Sequence, residues 1–175
     1  MTGPERTHNK VLAELVKADG ITELRAETNY LPVDDFEKMR AAVGEVIGAN
    51  FDPSHLIWQG IDPVAAIRYL GDAIYHFHAK DNKIDDINTS VNGVLDTKSY
   101  ADEINRSWIF RSVGFGNGET YWRDVISNLR MVGYDYAISI EHEDSLMSQN
   151  EGLEKAVALL KNCIIKEGLA AAWWI

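Results

Sequence analysis

The run 74–81 constrains the fold more than any other stretch of the chain, because apolar and polar side chains alternate along it before charged residues follow. Side chains of a β-strand point alternately to its two faces. A strand here would place His76, His78 and Lys80 on one face, opposite an apolar face. The pattern predicts a strand that is buried on one side and carries chemically active groups at its carboxyl end.

Two other runs show the same design, and a fourth resembles it weakly. The run 46–52 ends on Asp52 and the run 136–141 ends on Glu141, each with apolar residues on the opposite face. The run 21–29 is a weaker candidate, because it contains several long charged side chains, and Glu is depleted in strands. The sequence thus predicts three strands with polar carboxyl ends and one doubtful strand.

Apolar residues at helical spacing fill most of the segments between these runs. Asp62 followed by Pro63 is typical of a helix start, and Gly71 is typical of its end. The segments 53–60 and 81–117 are predicted to be loops. The second shows no sustained period, and a loop of this length inside a compact domain is usually either functional or misread. The predicted helices cover approximately 8–19, 34–43, 63–70, 120–133 and 151–167.

Strands that alternate with helices are the signature of parallel βα units. Because a parallel sheet is covered on both faces, polar residues on one face favour the interior of a barrel. We therefore expect an α/β fold, a partial (β/α)8 TIM barrel of parallel strands with outer helices. A complete barrel takes about 250 residues, so the 175 residues of this chain would form about four βα units.

The composition excludes some classes of partner. With a formal net charge of -10, the chain offers no general attraction to phosphate backbones or anionic lipid, so we expect no nucleic-acid or membrane partner. The first residues lack a leader-like apolar segment, and no apolar run reaches membrane-spanning length, so a cytoplasmic location is expected. The single cysteine, Cys163, lies in a helical pattern and is expected to be buried.

Four polar residues near the strand ends form a possible metal-ligand set. Asp52, His55, His78 and Glu141 offer oxygen and nitrogen donors without a thiolate, which suits Mn, Mg, Co or Zn. Each residue taken alone has a structural alternative, because an acidic residue at a strand end is often a helix cap and a histidine is often simply hydrogen-bonded. Spacing alone leaves both interpretations open.

Four segments near the strand ends carry a family resemblance, namely Asn50–Leu56, His76–Asp81, Trp108–Arg111 followed by 114–116, and Ser139–Asp144. Together they resemble the xylose isomerase-like TIM barrel family of sugar phosphate isomerases and epimerases. The similarity extends over about residues 36–166 and corresponds to the C-terminal half of the barrel, about its last four βα units. It implies one partial-barrel domain, with an atypical segment 1–35 before it and an apolar tail 167–175 after it.

The resemblance implies roles for individual residues. Asp52, His78 and Glu141 would bind the divalent metal, and His55 and Arg111 would contact substrate oxygens. Family epimerases relay a proton between two glutamates on opposite sides of the sugar. Glu141 matches one of these glutamates, and no residue matches the other closely.

Three assignments stay open at this point. Glu27 is the best substitute for the second catalytic glutamate, although it lacks a preceding apolar strand. Lys80 would contact a substrate oxygen or phosphate, or else pair with Asp81. We count His76 among the substrate-binding candidates, with a supporting or packing role as its alternative and with the possibility that it exchanges roles with His78.

The expected function is metal-dependent isomerisation or epimerisation of a sugar or sugar phosphate by proton transfer through an enediolate. One alternative is a truncated, non-catalytic half-barrel that binds metal or a partner subunit. A further alternative is phosphodiester hydrolysis of the AP-endonuclease kind, against which the acidic net charge argues. The expected partners are a small sugar or sugar phosphate and, in a homo-oligomer, a second copy that covers the open half-barrel.

Overall fold

The computed structural model describes residues 18, 20, 22–27 and 33–168. The helix predicted over 8–19 lies almost wholly outside the described residues. The described helices are α1 (Val33–Val43), α2 (Pro53–Trp58), α3 (Pro63–Leu70), α4 (Asp86–Asn92), α5 (Glu119–Met131) and α6 (Gln149–Cys163). The strands are β1 (Leu24–Glu27), β2 (Ile47–Phe51), β3 (Ile74–Ala79), β4 (Asp81–Ile84), β5 (Trp108–Arg111) and β6 (Ile138–Ile140).

Four of the strands form one parallel sheet in the order β1-β2-β3-β6. Because each strand is parallel to its neighbour, their carboxyl ends lie at the same edge of the sheet. Helices between the strands cover its apolar face, as the prediction of a partial (β/α)8 barrel required. The doubtful strand in the run 21–29 is present as β1.

The apolar face of the sheet makes the main core. Phe51 on β2 and Phe77 on β3 stack with their ring centroids 5.7 Å apart, and both side chains are fully buried. Ile67 of α3 and Trp122 of α5 belong to the same buried cluster. Burying one such side chain contributes about 1.5–3 kcal/mol. This packing fixes the register and leaves the polar face of the strands on the opposite side.

The ends of α3 are where the sequence places them. Asp62 caps the helix, since its Oδ1 accepts a hydrogen bond from the Val64 amide at 2.9 Å, and Pro63 takes the first helical position. Gly71 ends the helix with a φ of 54°, a conformation that glycine adopts readily. Cys163 is buried, as its helical pattern predicts.

The prediction of a loop over 81–117 is wrong. The strands β4 and β5 pair antiparallel in this segment, with Asp81 opposite Arg111 and Ile84 opposite Trp108, and α4 lies between them. Strands of four residues are too short to show a period, and their partners are distant in sequence. The pairing is therefore a tertiary effect that local pattern does not reveal.

The prediction of a loop over 53–60 is also wrong, and here the sequence held a usable signal. Asp52 caps α2, with Pro53 at the first helical position, so the Asp-Pro start of α3 occurs twice. Two other helix starts differ from expectation. Gly118, rather than Thr120, precedes α5, and Ser148 caps α6 two residues earlier than predicted.

Candidate functional site

The residues that follow β2, β3 and β6 meet at the carboxyl edge of the sheet. The ammonium Nζ of Lys80 lies 2.9 Å from Oε1 of Glu141 and 3.9 Å from Oδ2 of Asp52. Parallel strands bring such residues together because their carboxyl ends share one edge, which is also where barrel enzymes place their active sites. Three residues separated by up to ninety positions in sequence thus form one charged cluster.

Lys80 is the centre of this cluster. Only 3% of its side chain is exposed, its Nζ lies 2.7 Å from Oε2 of Glu143, and it sits 4.2 Å from the centroid of the Phe110 ring. Burial lowers the pKa of Lys80, but hydrogen bonds to Glu143 and Glu141 outweigh burial and leave that pKa above its ordinary value. The residue is therefore a positively charged ammonium at neutral pH.

Asp81 is not the partner of Lys80, although the two residues are adjacent. Its carboxylate is fully buried on the other side of the chain, where Oδ2 accepts backbone hydrogen bonds from Gly114, Gly116 and Asn117 at 2.9–3.1 Å. The Asp81 carboxylate therefore organises the glycine-containing loop before α5. The ion pair with Asp81, which was the alternative to substrate contact for Lys80, is therefore not formed.

Asp52 serves as both a helix cap and a buried acid. Its Oδ1 accepts the Ser54 amide at 2.8 Å, and its Oδ2 lies 3.4 Å from Nε2 of His55. Burial raises the pKa of Asp52 to about 6, although the hydrogen bonds from Ser54 and the charge of Lys80 oppose the change. This carboxyl group can therefore take up or release a proton close to neutral pH.

The two histidines of β3 lie on the same face, as alternation predicts, with ring centroids 5.1 Å apart. Nδ1 of His78 lies 3.4 Å from Oε2 of Glu141, and its Nε2 lies 2.9 Å from the side-chain amide of Asn50. Nδ1 also lies 3.2 Å from the Ser139 hydroxyl. If the Asn50 amide donates to Nε2, the His78 proton is on Nδ1, where Ser139 and Glu141 both lie within reach. His76 lies earlier on the strand, where its Nε2 is 2.8 Å from the Ser139 hydroxyl.

A cavity of about 490 Å³ opens beside this cluster. Tyr100 and Phe110 form an aromatic wall, with nearly parallel rings 6.0 Å apart, and His55 meets Phe110 edge-on at 5.5 Å. Three of the other lining residues are charged. An aromatic surface beside a few polar groups suits a small polyhydroxylated ligand. The lining residues are His55, Lys80, Tyr100, Phe110, Glu141 and Glu143.

A second cavity, of about 560 Å³, lies at the opposite end of the sheet. Its lining includes Ile138 at the amino end of β6 and the segment 164–168 that follows α6. It holds neither histidine nor any residue of the charged cluster. The smaller cavity at the strand carboxyl ends is therefore the candidate site.

Arg111, predicted to contact substrate, is held elsewhere. Its Nε lies 3.1 Å from Oδ2 of Asp144, and the same oxygen accepts the Ser112 amide at 2.7 Å. Burial raises the pKa of Asp144, but hydrogen bonds from Ser112, Leu146 and Arg111 outweigh it and lower that pKa overall. Arg111 therefore stabilises the turn after β6, and it does not line the cavity.

Sequence reasoning missed three residues of the cavity, Tyr100, Phe110 and Glu143, although Phe110 lies in one of the segments that carry the family resemblance. A signal existed for Glu143, which stands two positions after Glu141 and thus continues the alternation of β6. Tyr100 gave none, because it lies in the irregular segment between α4 and β5.

The fourth predicted acid, Glu27, is placed only by its backbone. It ends β1 and pairs in register with Asn50 of β2. Its side chain lies outside the described part of the structure. The backbone of Glu27 is thus at the same sheet edge as the cluster.

The predicted metal ligands have donor atoms that suit a divalent ion, but their positions in the structure suit it less well. Two carboxylates and an imidazole are appropriate donors for Mn, Mg, Co or Zn. Within residues 22–27 and 33–168, however, no group of three or more His, Cys, Asp or Glu side chains is arranged to hold a metal. The cation that joins Asp52 to Glu141 is the ammonium of Lys80, which would have to move for an ion to bind both.

None of the helices in the described ranges is long and apolar enough to span a bilayer.

Comparison with known proteins identifies the family and the fold. Residues 10–163 match the model of a family described as xylose isomerase-like TIM barrel. The chain is 43% identical over 160 residues to YfiH of Bacillus subtilis (strain 168), an uncharacterized protein, in an alignment that covers 89% of this chain and 51% of YfiH.

A solved structure shows the same fold. The crystal structure of a xylose isomerase domain protein from Planctomyces limnophilus matches with a TM-score of 0.67 and 21% identity, covering 92% of this chain and 52% of that one. The chain thus spans about half the length of both relatives.

Proposed function

Because the chain belongs to the xylose isomerase-like TIM barrel family, we propose that it isomerises or epimerises a sugar or sugar phosphate by proton transfer through an enediolate. The observation that carries the proposal is the Glu141 carboxylate in the cavity, held 2.9 Å from the Lys80 ammonium and 3.4 Å from Nδ1 of His78. A base, a cation and an imidazole then surround one reacting position, which is what enolisation requires.

In the proposed reaction, Glu141 removes the proton from the carbon next to a substrate carbonyl. The electron pair of the broken C–H bond forms the enediolate double bond, and the carbonyl oxygen gains negative charge. Lys80 would stabilise that oxygen, because its ammonium is shielded from water and lies beside Glu141 in the cavity lining. In an isomerisation, Glu141 then returns the proton to the former carbonyl carbon, and the proton of the adjacent hydroxyl passes to the former carbonyl oxygen, so that carbonyl and hydroxyl change places. In an epimerisation, Glu27 would instead donate a proton to the original carbon from the opposite face.

A divalent ion is also part of the proposal. Asp52, His78 and Glu141 would hold Mn, Mg, Co or Zn if Lys80 left Asp52 and Glu141 and kept only its contact with Glu143. When bound, the ion would polarise the substrate carbonyl.

The test is exchange of substrate hydrogen with solvent. The purified chain is incubated in deuterated water with a panel of ketoses, with and without Mn²⁺, and loss of the α-proton signal is followed by NMR. Glu141→Gln should slow exchange by at least about 100-fold, whereas Glu154→Gln, at an exposed position on α6, should not. Absence of exchange by the folded wild-type chain with every ketose would refute the proposal.

A non-catalytic half-barrel is the second candidate. It is favoured by the open sheet, in which β1 and β6 pair on one side only among the described residues. A chain of this kind would bind metal or self-associate without exchanging substrate protons. Measurement of mass in solution and of Mn²⁺ binding on the same samples separates it from the enzyme.

A further inference from the structure

We infer that the cavity at the carboxyl edge of the sheet takes an unphosphorylated sugar or polyol and rejects its phosphorylated form. The inference rests on the proposed function for the position of the substrate. It goes further by choosing between the two substrate classes that the family resemblance leaves open. Three features support the inference. The lining of the cavity is acidic, the nearby arginines already bind other groups, and the Asp81 carboxylate occupies a backbone loop that could otherwise bind phosphate.

The lining of the cavity is acidic. Among the described residues, Lys80 is the only lysine or arginine in the lining, and it already contacts Glu141 at 2.9 Å and Glu143 at 2.7 Å. A phosphate monoester brings about -1.5 to -2 charges at neutral pH. It would have to approach these two carboxylates and take the ammonium away from them. A neutral hydroxyl can instead donate to a carboxylate while Lys80 keeps its partners.

The nearest arginines are engaged elsewhere. Arg111 is paired with Asp144, as described above. The Arg106 side chain is 1% exposed, its Nε donates to the Trp108 carbonyl at 3.1 Å, and its guanidinium stacks on Tyr100 with 4.2 Å between Cζ and the ring centroid. Arg106 therefore supports the aromatic wall from behind, and neither arginine lines the cavity.

The backbone loop that could bind phosphate is already filled. Successive amide N–H groups in a glycine-containing loop are a common anion site, and here Gly114, Gly116 and Asn117 all donate to Asp81. Space is also lacking, because a Cβ added to Gly116 would lie 2.3 Å from the Asn82 carbonyl oxygen. The carboxylate of Asp81 occupies the position that a ligand phosphate would need.

The aromatic wall supplies the remaining recognition. Tyr100 is 58% exposed and lies in the cavity lining beside Phe110. The electron-rich face of an aromatic ring favours the slightly positive C–H groups of a sugar. Glu143, whose side chain is 48% exposed, can accept hydrogen bonds from sugar hydroxyls. The aromatic wall and the charged residues together suit a ligand with an apolar C–H face and a hydroxylated edge.

The test compares matched ligands on the purified full chain. Binding of D-fructose and D-fructose 6-phosphate, and of myo-inositol and its 1-phosphate, is measured by NMR titration at low ionic strength. At least one neutral compound should bind at least about tenfold more tightly than its phosphate. Glu143→Gln should tighten binding of the phosphate by at least about threefold, because one repelling charge is removed. Glu154→Gln should leave both affinities unchanged, since Glu154 is exposed on α6.

The contrary outcomes are equally specific. Phosphates that bind as tightly as the neutral compounds, a Glu143→Gln variant with an unchanged affinity ratio, or a folded chain that binds none of the four compounds would each overturn the inference. Deuterium exchange is recorded in the same samples. A neutral sugar that binds but does not exchange its α-proton would refute the proposed isomerase and support the inference about the ligand class. A sugar phosphate that binds tightly and exchanges its α-proton would support the isomerase and refute the inference about the ligand class.

Discussion

The Nζ atom of Lys80 lies 2.9 Å from Oε1 of Glu141, which joins the carboxyl ends of β3 and β6 by a shielded ion pair. The ammonium also faces Asp52 and Glu143. The three carboxylates therefore share one cation, and the state of Lys80 should govern both the stability of the cluster and its chemistry.

Lys80→Met should reduce α-proton exchange by at least about 100-fold, because the negative charge that develops on the substrate oxygen loses its cation. The free energy of unfolding at pH 7 should fall by about 2–3 kcal/mol, since the carboxylates are left facing one another. Exchange and urea unfolding are the measurements, and Lys83→Met, at an exposed position on β4, is the control. A Lys80→Met variant that folds and exchanges at nearly the wild-type rate would show that Lys80 does not act in the reaction.

Asp52→Asn should stabilise the metal-free chain above pH 6. The pKa of Asp52 is raised from 3.8 to about 6 by burial, so the folded state holds this proton more tightly than the unfolded state does. The stabilisation from that proton is complete below about pH 4 and is lost as pH rises through 6. The free energy of unfolding of the wild type therefore falls by up to about 3 kcal/mol over this range. The amide avoids the loss and can still accept the Ser54 amide hydrogen bond.

Unfolding of both proteins by urea between pH 4 and pH 8, with a chelator present, tests the Asp52 prediction. The stability difference between variant and wild type should grow as pH rises through 6. A constant difference across this range would show that Asp52 titrates normally.

Gly116→Ala should destabilise the fold by about 1–3 kcal/mol. The added Cβ would lie 2.3 Å from the backbone oxygen of Asn82 and 2.7 Å from Oδ1 of Asp81. Backbone cannot yield as a flexible side chain would, so the loop must leave the Asp81 carboxylate. Gly118→Ala is the matched control, because nothing lies within 4 Å of its Cβ position. Equal melting temperatures for the two variants would contradict the close approach.

Asp96→Asn should destabilise the chain with the opposite pH dependence from Asp52→Asn. Burial raises the pKa of Asp96, but hydrogen bonds from the amides of Ser107 and Lys98 outweigh it and lower that pKa to about 2. The stabilisation is therefore present above about pH 4 and is lost as pH falls through 2.

Asp96→Asn should lower the free energy of unfolding by about 1 kcal/mol at pH 7, and this difference from the wild type should shrink toward pH 2. Thermal unfolding measured across this range provides the test. Asp124→Asn, at an exposed position on α5, serves as the control. If the variant were less stable than the wild type by the same amount at pH 2, the substitution would act through altered packing and not through the loss of the carboxylate charge.

The central βα pattern could be predicted from sequence because it depends on local alternation. The run 74–81 places its histidines on one face, and the Phe77 side chain is buried on the other. Asp62 and Pro63 start α3 as predicted. Such features need only the period of side-chain direction and the chemistry of a helix end, both of which are written in neighbouring residues.

The tertiary structure alone decided how the polar residues pair. Lys80 and Asp81 are adjacent and opposite in charge, yet Lys80 contacts three carboxylates at the ends of β2 and β6, whereas Asp81 accepts hydrogen bonds from the loop before α5. Antiparallel pairing of β4 with β5 sets this division, because it turns Asp81 toward the loop and brings Phe110 under the ammonium. Sequence thus determined which residues stand at strand ends, while contacts between distant segments determined which charges they meet.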